Sequence, residues 1–220
     1  MGLEDTYRHK GLRNQLVQLI RRKGIEDERI LTVIQTLPRH WFLDTAFLEH
    51  AYQDKAFAIG EGQTISQPFT VAFQTQLLAL QKYDKILEIG TGSGYQACIL
   101  AMLGAKVYSI EYNEVLHQKA QKLIQQVNLG GMTKLFQGDG SRGLPAYAPF
   151  QGIIVTAGAP TVPNALLKQL KAGGRLVIPV GDEKVQTMMR ITRKGETTFE
   201  QEAFEQFKFV PLLGKHGWKN

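Results

Sequence analysis

From residue 85 to residue 180, short apolar runs alternate with amphipathic stretches too long to be turns, and this restricts the possible folds more than any other feature of the chain. The runs at 85–89, 106–111, 133–137, 152–156 and 175–180 read as strands. The stretches at 96–103, 114–127 and 163–170 read as helices between them. Strands joined through helices need crossover connections, so the spacing predicts a mostly parallel, doubly wound α/β sheet of Rossmann-like character. The closing runs at 187–192 and 199–209, joined at Lys194-Gly195, read as antiparallel strands added at one edge.

Ahead of this region the chain reads as helical. Leu12, Leu16, Leu19 and Ile20 recur at helical spacing before Gly24, and a second helical stretch at 30–37 stops at Pro38. Trp41, Phe42 and Leu43 form an apolar knot that would hook this layer to the main body. Residues 53–68 lack periodicity and are expected to form a long loop, followed by a helix at 69–81. The expected organisation is an N-terminal helical layer, residues 1–58, packed on a cofactor-binding domain, residues 59–220, in a single structural unit.

The run Ile86-Leu87-Glu88-Ile89-Gly90-Thr91-Gly92-Ser93-Gly94-Tyr95 sits where the first strand of this sheet gives way to a helix. Glycines there allow a tight turn and close approach of a ligand to the backbone, beside the unpaired amides of the helix start. A nucleoside-bearing cofactor is expected. Gly92-x-Gly94-x-x-Ala97 satisfies the loose dinucleotide pattern, with Glu111 at the end of the next strand to hold ribose hydroxyls. Three acids, Glu88, Glu111 and Asp139 (in Gly138-Asp139-Gly140), fall at the carboxyl ends of successive strands, the edge where open α/β sheets bind ligands. Such carboxylates suit S-adenosylmethionine, which offers an ammonium, ribose hydroxyls, an adenine amine and a sulfonium charge. The loop Gly60-Glu61-Gly62-Gln63-Thr64-Ile65-Ser66-Gln67-Pro68 has two readings: part of the acceptor site, or a connector in which Ser66 caps the following helix.

Composition narrows the setting. The formal net charge is +6, but the basic residues are dispersed, and no basic and aromatic cluster suggests base recognition. The only cysteine, Cys98, lies in an apolar stretch and fits a reducing compartment. Met1–Asp5 does not read as a signal peptide, and no apolar run approaches the ~20 residues of a membrane span. A cytoplasmic protein with no stable nucleic-acid or membrane partner is expected. His9, His40, His50, His117 and His216 show no metal-ligand spacing, so no metal is expected.

The ordered set of motifs closely resembles the protein-L-isoaspartate O-methyltransferase family from about residue 38 to residue 213. The likeness runs through Gly60–Pro68, Leu87–Tyr95, Gly138-Asp139-Gly140, Ile153–Ala157, Val162–Leu166, Gly173–Gly181 and Phe209-Val210-Pro211-Leu212. The resemblance implies methyl transfer from S-adenosylmethionine to the free α-carboxylate of L-isoaspartyl residues in damaged proteins and peptides, which starts repair through a succinimide. It implies Ser66 as the active-site serine, with Thr64, Ile65 and Ser66 lining the pocket. The cofactor would be held by Glu88, Gly90, Thr91, Gly92, Ser93, Gly94, Glu111, Asp139 and Gly140. Gln63 and Val210-Pro211-Leu212 would meet the isoaspartyl peptide. Phe69 stands where some relatives carry His. Trp218 either folds over the substrate edge or belongs to a disordered tail. A nucleic-acid methyltransferase and a non-catalytic cofactor-binding domain are the rival readings.

Overall fold

The computed structural model describes residues 4–218, so the leader reading at Met1–Leu3 lies outside the described residues. Its elements, in order, are helices α1 (Tyr7–Arg22) and α2 (Glu28–Thr36), the hairpin β1 (Phe57–Gly60) and β2 (Gln63–Ile65), and α3 (Pro68–Leu78). The sheet region follows with β3 (Lys85–Ile89), α4 (Tyr95–Met102), β4 (Lys106–Glu111), α5 (Glu114–Gln126), β5 (Thr133–Gln137), β6 (Phe150–Val155) and α6 (Asn164–Leu167). It closes with β7 (Leu170–Gly181), β8 (Gln186–Arg193) and β9 (Phe199–Phe207). Seven strands form one sheet in the order β5-β4-β3-β6-β7-β8-β9, parallel through β7 and antiparallel in the last two pairings. The predicted doubly wound sheet with an antiparallel edge is what forms.

Strand periodicity divides the core between the two faces of this sheet. Ile86, Val107, Ile154 and Val177 face one cluster, which also takes in Leu16, Ile20, Ile30 and Ile34 of the helical layer and Ala97 to Ala101 of α4. Leu87, Ile89, Ile153, Val155, Leu176 and Ile178 face the other. The helical layer therefore shares its core with the sheet. Cys98 is buried within the first of these clusters.

Several boundaries differ from expectation. The 53–68 stretch contains the β1–β2 hairpin, because strands of four and three residues are too short to show periodicity. Helix α3 stops at Leu78, where Ala79 turns into the left-handed region at φ 48°, rather than running to Gln81. Gln67, not Ser66, occupies its N-cap position, with Pro68 at the first turn, so the capping reading of Ser66 does not hold. The 163–170 helix is reduced to α6, because β7 already begins at Leu170. No described helix is long and apolar enough to cross a membrane.

Candidate active site

Three adjoining cavities follow the carboxyl edge of β3, β4 and β6. One, of about 180 Å3, is bounded by Ile89 at the end of β3 and Gly90 after it, Glu111 at the end of β4 and Asn113 beyond it, Gly140, and Leu212. A narrow one of about 30 Å3 lies between Thr64–Ser66 and the turn, with Thr91, Ser93, Tyr95 and Gln96. The third is an open groove of about 640 Å3, edged by Lys23, Phe69, Phe207, Lys208 and Val210. Thr64, Ser66 and Thr156 line both the narrow cavity and the groove, so the two meet at these three side chains.

The turn between β3 and α4 has little freedom. Gly90 has φ +97°, and a Cβ there would lie 2.5 Å from the Thr156 hydroxyl, which donates to the carbonyls of Ile89 and Gly90. Only glycine satisfies both constraints. Glu111 fixes the far side of the turn: its carboxylate accepts the Gly92 N–H at 2.7 Å and the Asn113 N–H at 2.9 Å. Gly94 packs under Ile124 of α5 rather than facing a cavity.

Glu88 departs from its expected place. It shares the sheet face of Ile86, beneath α4, opposite in register to Ser109, and is fully buried. The Ser109 hydroxyl donates to it and in turn contacts the Thr91 hydroxyl at 2.6 Å. Burial, aided by the negative charge of Glu111 and opposed by the Ser109 hydrogen bond, raises its pKa from an ordinary 4.5 to about 8. At neutral pH Glu88 is thus an uncharged support beneath the glycine turn and does not line the pocket. This raised pKa has a measurable consequence. Below pH 4.5 Glu88 is protonated in both folded and unfolded chains, whereas between 4.5 and about 8 only the unfolded chain gains the favourable ionised form. Stability from this carboxyl is therefore lost as pH rises, by up to about 1.4 kcal/mol per pH unit. Denaturation of Glu88→Gln alongside the parent should show the variant gaining relative stability from pH 4.5 to 8; a gap constant across that range would contradict the assignment.

The remaining predicted positions separate by cavity. Gln63, Pro211 and Leu212, expected to meet the peptide, instead line the cavity with Glu111 and Gly140. Only Val210 of the C-terminal trio lies on the groove. The cause is a strap. Gly158 donates to the Val210 carbonyl and accepts from the Leu212 N–H, both at 2.8 Å, drawing residues 210–213 across the sheet edge. Trp218 anchors its end, its indole donating to the Gly158 carbonyl at 3.0 Å, so the described tail is ordered and folds toward the cofactor side. Asp139 accepts from the Lys215 N–H at 2.9 Å and from the Ser141 hydroxyl at 2.6 Å. Burial works against its charge, but these donors more than offset it and hold Asp139 below the usual carboxylate range.

Sequence reading missed Thr156, Asn113, Tyr95 and Gln96. Thr156 and Asn113 follow strand ends, so the strand-end rule that selected Glu111 applied to them as well. It also gave no sign that Asp5, His9 and His40 converge, with one ligand atom from each within 4.8 Å of the others. That cluster is already satisfied. Asp5 pairs with both terminal nitrogens of Arg13, His40 contacts Tyr52 Oη and the Glu4 carbonyl, and His9 Nδ1 accepts from the Thr6 N–H. With the Arg13 guanidinium seated on the carboxylate, it is a packing network.

The residues present fit S-adenosylmethionine. Glu111 lines a cavity of about 180 Å3, the turns bordering it are packed tightly because Gly90 and Gly140 have no Cβ to strike Thr156 and Ile89, and Gln96 Oε1 is buried at the narrow cavity without a partner. A glycine turn, an acid on the next strand, an antiparallel sheet edge and an adjoining acceptor groove define a Rossmann-like methyltransferase that uses this cofactor.

Comparison with known proteins identifies the family. Residues 11–217 match the family described as protein-L-isoaspartate(D-aspartate) O-methyltransferase. The chain is 56% identical over 216 residues to the protein-L-isoaspartate O-methyltransferase of Cytophaga hutchinsonii, covering 98% of this chain and 97% of that one. It is 57% identical over 211 residues to the protein of the same name from Flavobacterium psychrophilum, covering 96% and 98%. A solved protein-L-isoaspartate O-methyltransferase superposes with a TM-score of 0.83 at 27% identity, over 93% of this chain and 66% of that longer chain. The chain belongs to the protein-L-isoaspartate(D-aspartate) O-methyltransferase family.

Proposed function

We propose that the chain methylates the free α-carboxylate of L-isoaspartyl residues in damaged proteins and peptides, and that the transfer takes place where the narrow cavity opens into the groove. The observation that supports this most is the shared wall of Thr64, Ser66 and Thr156 between the two spaces. A donor held along β3 and an acceptor held in the groove can touch only there.

Bound S-adenosylmethionine supplies an already activated methyl group on a sulfonium. Glu111 would hold the ribose hydroxyls, Gly90 and Gly140 would border the nucleoside, and Gln96 Oε1 would accept from the amino-acid ammonium. Glu88 acts through Ser109 and Thr91 as a brace of the turn. The acceptor α-carboxylate, with an ordinary pKa of ~3.9, is ionised at neutral pH, so no general base is required. What remains is orientation and exclusion of water, which can lower a barrier by roughly 7–11 kcal/mol. Ser66 lines the junction, and its hydroxyl would donate to one carboxylate oxygen, leaving the other to take the methyl. The resulting ester is then open to attack by the neighbouring backbone amide nitrogen, which expels methanol and closes the succinimide. Lys23, the residue that follows α1, lies on the groove, which supports the reading of helical layer and sheet as one unit. A cytoplasmic setting suits the single buried Cys98.

The test uses methyl-labelled cofactor with matched isoaspartyl and aspartyl peptides and, in a separate arm, RNA. Base-labile label on the isoaspartyl peptide alone is the expected result. Label on RNA, or equal label on both peptides, would overturn the reading.

A further inference from the structure

Among the described residues Arg39 is the largest fully buried side chain, at 0% exposure, and none of their carboxylates is in hydrogen-bonding contact with it. It lies in a 3-10 turn, Arg39–Phe42, that follows α2. Nη2 donates to the Ser66 carbonyl at 2.8 Å and to the Lys55 carbonyl at 3.3 Å, while Nε and Nη1 have no partner. The guanidinium carbon sits 5.2 Å from the ring centroid of Tyr95, whose own hydroxyl is also buried and unpartnered. Ser66 and Tyr95 are both walls of the narrow cavity, so Arg39 stands directly behind it.

A buried cation without an ion-pair partner is costly, and an apolar residue would fill this space with less penalty. The charged groups around it do not cancel it. Asp54, the nearest acid acting on it, is already held by Lys23 Nζ at 2.6 Å and by the Phe69 N–H at 2.8 Å; Tyr52 and Tyr95 are neutral phenols. Burial lowers the pKa of Arg39 only to about 10, so it stays protonated at neutral pH. The acceptor is an anion, and it must approach a junction that adjoins the cavity carrying the Glu111 carboxylate. An unneutralised positive charge in a low-dielectric wall acts over longer range than one in water.

We propose that Arg39 is a positioning residue of the methyl transfer: it fixes Ser66 through the Ser66 carbonyl, and its unpaired buried charge selects the ionised acceptor carboxylate. This rests on the reading that the acceptor carboxylate sits at Ser66.

The experiment compares an isoaspartyl peptide with the same peptide carrying an α-carboxamide at the isoaspartyl position. Both are titrated into S-adenosylhomocysteine-saturated protein. The parent should bind the carboxylate form at least tenfold more tightly. Arg39→Met should bring that ratio near one and lower kcat/KM at least tenfold, with the Kd for S-adenosylhomocysteine within twofold. Arg39→Lys, which keeps the charge, should retain most of the preference. Should Arg39→Met fail to fold, Arg39→Gln, which can still donate a hydrogen bond but carries no charge, answers the same question. Equal weakening of both peptides, or an unchanged ratio in the neutral variants, would overturn the proposal. A parent that fails to methylate isoaspartyl peptide would instead overturn the underlying function.

Discussion

Ser66→Ala is expected to reduce kcat on an isoaspartyl peptide by about 10- to 150-fold while the Kd for S-adenosylhomocysteine stays within about twofold. The lower and upper bounds correspond to the ~1.5–3 kcal/mol of a hydrogen bond to a charged group. The split matters more than the size. Ser66 is half-buried at the junction of narrow cavity and groove, and its main chain is held independently by Arg39. Removing Oγ therefore leaves the backbone that borders the cofactor in place and removes only the group that orients the acceptor. Steady-state kinetics with calorimetry on the same preparation separates the two quantities. Parallel losses would show that Ser66 serves the cofactor rather than the acceptor. Retained turnover would move the orienting role elsewhere on the shared wall, with Thr156 the first candidate.

Glu111→Ala is expected to weaken cofactor binding by roughly 100- to 1,000-fold, with loss of stability as well. Two backbone amides lose their acceptor in this variant, Gly92 N–H in the glycine turn and Asn113 N–H just before α5. Charge-assisted bonds of this kind contribute about 1.5–3 kcal/mol each, and the bond to a ribose hydroxyl is lost with them. Glu111→Gln, which keeps an acceptor oxygen but not the charge, should fall between the parent and Glu111→Ala. Calorimetric titration with S-adenosylhomocysteine measures the effect directly. An unchanged Kd in Glu111→Ala would remove Glu111 from the cofactor site and leave it as a turn brace alone. At saturating cofactor the peptide KM should recover toward the parent value, because Glu111 does not line the groove.

These two positions show what was legible in the sequence. Glu111 was singled out because strand ends in parallel sheets face ligands, and in the mostly parallel sheet it does line a cavity at that edge. The same rule misplaced Glu88, one residue inside the end of β3. Period-two alternation sends Glu88 to the face opposite Ile89, where it meets Ser109 instead of the cavity. Family resemblance put Val210, Pro211 and Leu212 on one side of the active site. The Gly158 hydrogen bonds that draw the strap across the sheet edge divide them between two cavities, and such long-range pairings leave no local mark. Arg39 was the least legible. Arginine is almost never fully buried, so hydrophobic patterning gives no reason to place it behind an active-site wall.

The strap also sets how the donor pocket opens. Residues 211–213 cover the cavity that holds the nucleoside, yet they are tied down by a few backbone contacts to Gly158 and, further along, to Asp139 and Ser141. β3, beneath them, is bonded to a neighbour on each side and buried on both faces. Local stability within one molecule spans a wide range, and the least protected segment is the first to part from the rest. Parting residues 211–213 from the cavity breaks only these links and leaves the hydrogen bonds of the sheet in place. The cover is held by a handful of hydrogen bonds, the Trp218 indole and the buried Leu212 side chain, a set separate from the strand pairings beneath it.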